Sequence, residues 1–497
     1  LSLGAGIDYA LLMVNRFREE LASGRSAQAA AAITAQTAGR TVASSGLVVA
    51  IAMGAMLVPE LTFIRSMGVG GVMAITLTVL ASITLLPAIL TLLGERVNAP
   101  RRLAFKALSS GQASPFWGRW AGGVMRYPWR WLLGAAGLLL ALAWPATQMR
   151  LGYTGAFGLG PSVESRKGLE LIRKLELGGA LDAFEVLLAL GEEGFTPENR
   201  DRWRKLEQRL SAWPEVRLVI SPFLAGRWQG QGGFAELVGL TQQYISQNRQ
   251  YLRLTVIPKD AVHAASIPEW YRRLKEEAKS VGFQEVRLGG APVGSMEFTD
   301  ALLKAMPAAI GTVFVATFLL LAVAFRSLVI PLKSLLMNTL TVGAAYGLVT
   351  LVFQEGWGAG LVGAPTDLGG IDSSLPILMF AVIFGLSMDY EIFLLSRVQE
   401  AHLAGMDTPQ AVRYALERTA RVIASAALIM VIVFSAFVFG QVVANKTIGL
   451  GLAVAVLLDA TLVRLALVPA VLVLAGRWNW WLPKPLQRVM PKVRLEP

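Results

Sequence analysis

Apolar runs long enough, or nearly long enough, to cross a membrane fall at about 1–16, 41–59, 64–94, 129–148, 305–325, 328–353, 373–397, 420–440 and 446–476. A helix rises 1.5 Å per residue, so about 20 apolar residues cross a hydrocarbon layer of roughly 30 Å. The pattern predicts about nine transmembrane helices. Residues 150–304 break it: they hold 21 Lys/Arg and 19 Asp/Glu, and their apolar residues come in short runs. There FEVLLAL (184–190) and QYLRLTVIP (250–258) alternate like half-buried strands, and VRLVIS (216–221) and EVRL (285–288) read as two more. TPENRDRWRKLEQRLSAW (196–213) opens with a Thr cap and a Pro at the first helical position, and SIPEWYRRLKEEAKSVG (266–282) is amphipathic and ends at Gly. Strand–helix–strand, twice over, is the split βαβ arrangement of an α+β domain. The Gly-rich stretch 222–249 reads as an insertion between its halves.

Composition agrees with a polytopic α-helical membrane protein: of 497 residues, 54% are hydrophobic and only 16% charged, against about 25% charged in soluble domains. There is no Cys, and the two His, His263 and His402, lie too far apart in sequence to suggest a zinc site. No metal or other cofactor is expected. The net charge of +12 raises nucleic acid as a partner, but its placement argues against one. Segment 95–130 has seven Lys/Arg against one acid, Glu95, while loop 354–372 has no Lys or Arg. Loops 17–40 and 397–421 and the tail after 476 are also basic. Basic loops stay on the cytoplasmic side, so nine alternating spans place 150–304 outside the cell membrane. The expected division is three spans in 1–94, a basic cytoplasmic linker at 95–128, one span at 129–149, the extracytoplasmic domain at 150–304, five spans in 305–477 and a cytoplasmic tail at 478–497. Leu1 opens inside an apolar run of about 15 residues, short of a full span. That predicts a beginning in the middle of a transmembrane helix, with an upstream portion missing.

Two stretches 381 residues apart are nearly the same: GAGIDYALLMVNRFREE from Gly4 and GLSMDYEIFLLSRVQEA from Gly385. At the same offset, Arg40, Ala43 and Ser44 match Arg421, Ala424 and Ser425, and Gly68 and Gly70 match Gly449 and Gly451. LPAIL (86–90) then matches VPAVL (468–472) with one extra residue. Chance explains matched Leu and Val, but not matched Asp, Tyr, Arg, Gly and Pro in register. The first three spans repeat as the last three. Arg16 and Arg397 both follow their aspartates by eight residues, so the two copies run the same way and form a parallel repeat.

Each motif places a carboxylate inside a span, at Asp8 and Asp389. Eight residues of helix are about 12 Å, so an Arg at the inner interface puts its Asp well inside the hydrocarbon. An ionised carboxylate there costs several kcal/mol, roughly 3 or more. Desolvation raises a carboxylate pKa toward neutrality, and a tyrosine hydroxyl donates to the ionised form without titrating itself. Asp8, Tyr9, Asp389 and Tyr390 therefore read as a proton relay. Protonation releases the donor and lets neighbouring helices shift. The driving force is about 2.3 kcal/mol per charge per 100 mV, plus about 1.4 kcal/mol per pH unit. A purely structural helix-to-helix contact is the plainer reading of the same residues. Asp459 and Arg464 are a second intramembrane charge pair. Five residues turn an α-helix by about 140°, so the two are expected to reach different helices rather than each other. Glu391, two residues from Asp389, is expected to face elsewhere. Ser44 and Ser425 read as small residues at tight helix crossings, with hydrogen bonds to the motif pairs as the other possibility.

GIDYALLMVNRFREE and GLSMDYEIFLLSRVQEA resemble the paired motifs of the MMPL (mycobacterial membrane protein large) transporters of the resistance-nodulation-division (RND) superfamily. The resemblance implies a twelve-span fold with two porter domains, of which this chain has spans 4 to 12 and the second porter domain. It implies that the Asp-Tyr pairs cross, Asp8 meeting Tyr390 and Asp389 meeting Tyr9, which helical geometry permits. It also implies a part in proton coupling for Asp459 and Arg464; a structural ion-pair network is the alternative.

No GxxxxGK[ST] occurs, so ATP is not the expected energy source. The expected function is proton-driven transport, export of lipids or other hydrophobic compounds. The expected partners are that cargo, protons and the lipid bilayer, with a monomer or trimer both open. A non-transporting receptor or scaffold of sterol-sensing type is one alternative. An intramembrane aspartyl protease is another, since Pro-Ala-Ile-Leu and Pro-Ala-Val-Leu resemble its PAL motif; but Tyr follows Asp in both copies, against that class's Tyr-Asp order.

Overall fold

The computed structural model describes residues 2–98, 115–152, 158–160, 162–191, 196–221, 244–248, 250–365 and 368–490, without the side chains at 2, 3, 5, 389 and 489. Eight described helical stretches are long and apolar enough to cross a membrane: Ala27–Leu57, Thr62–Asn98, Pro128–Gln148, Ala291–Phe325, Val329–Gln354, Ser374–Leu403, Thr408–Phe439 and Val443–Trp480. The first of the nine expected runs forms helix Ser2–Ala22 but is not among these. Its second half carries Arg16, Arg18, Glu19 and Glu20, which lower its mean hydropathy. Arg16 and Arg25 both pair with Glu20.

The helices pack into one large core. Helix Ser374–Leu403, which carries the second Asp-Tyr motif, lies at its centre: 88% of its most apolar stretch is buried. It meets helix Ala38–Gly54 of the first half at Gly385, the first residue of the motif. A Cβ there would lie 3.0 Å from Val49 Cγ1 and 3.3 Å from its Cα. Glycine permits this approach of the two halves. Helix Val443–Leu458 closes the second half, with Gly451 tight against Met379.

The α+β domain has its own core, built on Phe184, Trp203, Leu206, Leu254, Trp270 and Leu274. Its antiparallel sheet has the order β3-β4-β2-β5, with β2 at Phe184–Ala189, β3 at Val216–Ile220, β4 at Tyr251–Pro258 and β5 at Val286–Gly289. Helix Pro197–Ser211 joins β2 to β3, and Ile267–Ser280 joins β4 to β5. This is the split βαβ topology. Thr196 caps the first helix, its side chain accepting from the Asn199 N–H at 3.2 Å, and Pro197 occupies the first turn. Most of the expected insertion 222–249 lies outside the described residues.

Among the described residues, ties that fasten this domain to the helix bundle include three made by its main chain. The short strand β1 (Leu151–Gly152) pairs in parallel with β6 (Ile371–Asp372). The Arg150 N–H donates to Gln354 Oε1 at 2.7 Å. The Gly160 N–H donates to the Gln441 carbonyl, also at 2.7 Å. All three join it to the bundle end that carries loops 354–372 and 440–442.

Candidate functional site

Among the described residues of the bundle seven charged side chains are buried, Asp8, Glu20, Lys333, Glu391, Lys446, Asp459 and Arg464. Burying an ion in a helix bundle is costly unless it is paired and hydrogen-bonded. Its surroundings therefore indicate what each one does.

Asp459 and Arg464 pair with each other, contrary to the expectation that each would reach a different helix. The cause is local. Residues Asp459–Leu467 are wound as a π-helix. Its hydrogen bonds run i→i+5, so side chains five apart come nearly into line. The 140° separation belongs to an α-helix, which this segment is not. Further bonds hold the pair to helix Ser374–Leu403. The Ser387 hydroxyl donates to Asp459 Oδ2 at 2.8 Å and lies at the same distance from Asn338 Oδ1. Arg464 Nη2 donates to the Ser387 carbonyl at 2.5 Å. The guanidinium sits 4.7 Å from the centre of the Tyr390 ring, a cation–π contact in a desolvated place. Ser387, Tyr390, Asp459 and Arg464 line a cavity of about 10 Å³, room for about one water.

Glu391 also points into the protein. It pairs with Lys333 of helix Val329–Val349 at 3.6 Å and accepts from the Ser334 hydroxyl. Glu391 thus faces helix Val329–Val349; the side chain of Asp389, from which it is expected to face away, lies outside the described residues. Lys333 was legible as a lone cation in the apolar run 328–353, and its opposite in sign, Glu391, as a second acid beside Asp389 in 373–397. Matching those two would have found the pair.

In the first half, Asp8 is 2% exposed and Tyr9 fully buried, both on helix Ser2–Ala22. Asp8 therefore faces protein rather than lipid. The Ser45 hydroxyl donates to the Tyr9 hydroxyl at 3.4 Å. Ser44, the residue matched in the repeat, instead donates to the Thr41 carbonyl of its own helix at 2.9 Å, and Ser425 likewise to Val422 at 2.9 Å. The hydrogen bonds described for both serines thus close within their own helices. Ser45, one residue on, is the serine that reaches a motif tyrosine. The side chain of Asp389 lies outside the described residues, although its backbone is in helix Ser374–Leu403. Among the described residues no group of three or more His, Asp or Glu has metal-binding geometry.

The MMPL family model matches residues 1–130 and 162–493. The "Mycolic acid-containing lipids exporter MmpL11" of Mycolicibacterium smegmatis is 36% identical, over 99% of this chain and 50% of its own length. The "Heme uptake protein MmpL11" of Mycobacterium tuberculosis is 36% identical over 99% of this chain and 49% of its own. The "Trehalose monomycolate exporter MmpL3" of the same species is 30% identical over 100% of this chain and 53% of its own. The chain thus spans about half the length of these relatives. Among solved structures, SecDF in its super-membrane-facing form matches with a TM-score of 0.50 at 17% identity, covering 95% of this chain and 53% of SecDF, a likeness of fold. A family match over nearly the whole sequence, on a multi-pass bundle with a split βαβ domain, identifies this chain as a member of the MMPL family of RND transporters.

Proposed function

We propose that this chain is part of a transporter driven by the proton-motive force, which exports lipids or other hydrophobic compounds. The observation that carries the reading is the buried pair Asp459–Arg464, tied through Ser387 to the helix that bears the second Asp-Tyr motif. A charge pair on one helix tied to a second helix through Ser387 is a two-state element. Protonating Asp459 removes its attraction for Arg464 and frees the Ser387 hydroxyl. Arg464, held by the Ser387 carbonyl and the Tyr390 ring, then has no counter-ion on its own helix. The stable responses are to move the helices or to return the proton. The cavity beside the pair offers room for a water to deliver it.

Asp8 and Tyr9 supply the first-half members of the relay, and Asp389 and Tyr390 the second. In this reading Asp8 works with Tyr390 and Asp389 with Tyr9 across the two halves, which approach each other at Gly385 and Val49. Among the described residues the Tyr390 hydroxyl makes no hydrogen bond, so the reading has it meet Asp8 only when the helices shift. Asp459 and Arg464 couple the relay to the last span. The α+β domain stands on the extracytoplasmic side, tied to the loops at one end of the bundle. A cleft of about 430 Å³ between the halves, lined by Met53, Met67, Leu378, Phe434, Phe437 and Leu452, suits an apolar cargo. The names of the relatives point the same way for two exporters, and for one relative to haem uptake.

The test is export of radiolabelled lipid by cells carrying the full-length protein, with and without a protonophore. Export is expected to collapse with the gradient. Undiminished export in uncoupled cells with normal ATP removes the proposal.

A further inference from the structure

The π-helix that brings Asp459 to Arg464 is itself in need of support. In an α-helix the carbonyl of residue 465 accepts from the N–H of residue 469. Here residue 469 is proline, which has no N–H. Pro469 therefore deprives the Leu465 carbonyl, one residue after Arg464, of its α-type donor. A buried carbonyl left without a partner costs about 1–3 kcal/mol. The indole N–H of Trp120 fills the gap, donating to the Leu465 carbonyl at 2.8 Å. Trp120 belongs to helix Pro115–Arg126, 345 residues away in sequence. That helix is seated tightly: a Cβ at Gly118 would lie 2.4 Å from Glu417 Oε1 of helix Thr408–Ala436. The Trp120 ring also packs on Trp131, with centroids 5.1 Å apart.

The repeat gives an independent reason to think the π-turn is built in. From Gly70 to Pro87 the first half counts 17 residues, and from Gly451 to Pro469 the second half counts 18. In the first half the helix stops at Ile83 and restarts at Leu85. In the second half it runs on, and the extra residue is taken up where the backbone is π-helical, at Asp459–Leu467. An inserted residue accommodated without breaking a helix is what a π-bulge is.

We infer that Trp120 is a positioning residue for the Asp459–Arg464 pair, its indole N–H holding the π-helical register that Pro469 opens. This rests on the proposed role of that pair in proton coupling. The groups facing the pair are Ser387 and Tyr390 from helix Ser374–Leu403 and Asn338 from helix Val329–Val349; Glu391, with its counter-ion Lys333, is near enough for its charge to act on Asp459, and Trp120 needs to touch none of them. The link also ties the segment before the fourth span to the last span.

The experiment uses the full-length protein in proteoliposomes, with two readouts: proton uptake against pH, followed with a pH-sensitive dye, and hydrogen–deuterium exchange of peptides covering 459–475. Trp120→Phe keeps the ring and removes the N–H. We expect at least ten-fold faster exchange across 463–470 and a displaced pH midpoint of proton uptake, with the protein still folded. Pro469→Ala in the Trp120→Phe background supplies a backbone donor in the α register. It is expected to restore slow exchange but not the pH midpoint. Pro469→Ala alone, with Trp120 intact, is expected to displace the midpoint too, which keeps the test open if Trp120→Phe fails to fold. Wild-type exchange and wild-type midpoint in Trp120→Phe overturn the inference, as does full recovery of the midpoint in the double variant. Asp459→Asn separates the two claims. If it leaves proton uptake intact, the proposed role of the pair fails, while the exchange measurement still reports whether Trp120 holds the register.

Discussion

Arg464 reaches back one π-turn to Asp459 and across to Ser387, so a single guanidinium fastens the last span both to itself and to the Asp-Tyr helix. Removing one member of a buried pair strands the other and costs about 3–5 kcal/mol, whereas removing both charges together is often near neutral. Asp459→Asn and Arg464→Gln should each lower the melting temperature in detergent and reduce export at least ten-fold. The double variant should regain most of the stability and none of the export. Restored export in the double variant would make the pair structural.

Asp8→Asn preserves shape and removes the charge of a carboxylate that is 2% exposed. Expression and melting temperature should stay at wild-type levels or rise, since an ionised acid in the membrane is costly. Proton-dependent export should be abolished. Asp389→Asn is expected to behave the same way. Western blotting and fluorescence-monitored melting, beside the lipid export assay, separate loss of function from loss of fold.

Gly385 and Val49 mark the approach of the two halves. A methyl group at 385 would sit 3.0–3.3 Å from three atoms of Val49, and overpacking of this kind costs about 1–3 kcal/mol. Gly385→Leu should weaken export more than Gly385→Ala. Val49→Ala should partly rescue Gly385→Ala by making room. If the double variant is no better than Gly385→Ala alone, the contact does not set the spacing.

The α+β domain offers a pH test outside the membrane. Partial burial on its own would raise the Glu185 carboxyl, but hydrogen bonds from Arg253 and Thr255 and the Arg253 charge outweigh it and hold the group below the usual carboxylate range. A depressed folded pKa means stability that is present above the unfolded value of about 4.5 and lost as pH falls through the folded one. Residues 150–304, with their separate core, should fold alone. Their melting temperature should fall as pH drops below about 4.5, and Glu185→Gln should flatten that fall. Aggregation of the isolated piece under mild conditions would move the domain boundary.

Much of this protein can be read along the chain. Continuous apolar runs report burial in lipid because the bilayer demands length and hydrophobicity from each helix separately. Alternation at 184–190 and 250–258 reports strands because one face of a sheet is packed and the other is not. The repeat, the paired aspartates, and the lone charges at 459 and 464 are all visible as sequence. What those charges touch is not visible, because partners are chosen by backbone geometry and by neighbouring helices. An α-helical wheel separates Asp459 from Arg464, and the π-helix joins them. The repeat singles out Ser44, but the rotation of helix Ala38–Gly54 presents Ser45 to Tyr9. Glu391 and Lys333 each look misplaced alone, and each is the other's counter-ion. The sequence by itself determined where the membrane helices and the α+β domain lie, because burial in lipid or in a sheet is a property of each segment. The tertiary structure alone decided which charge meets which, because that depends on turns of a helix and on residues hundreds of positions apart.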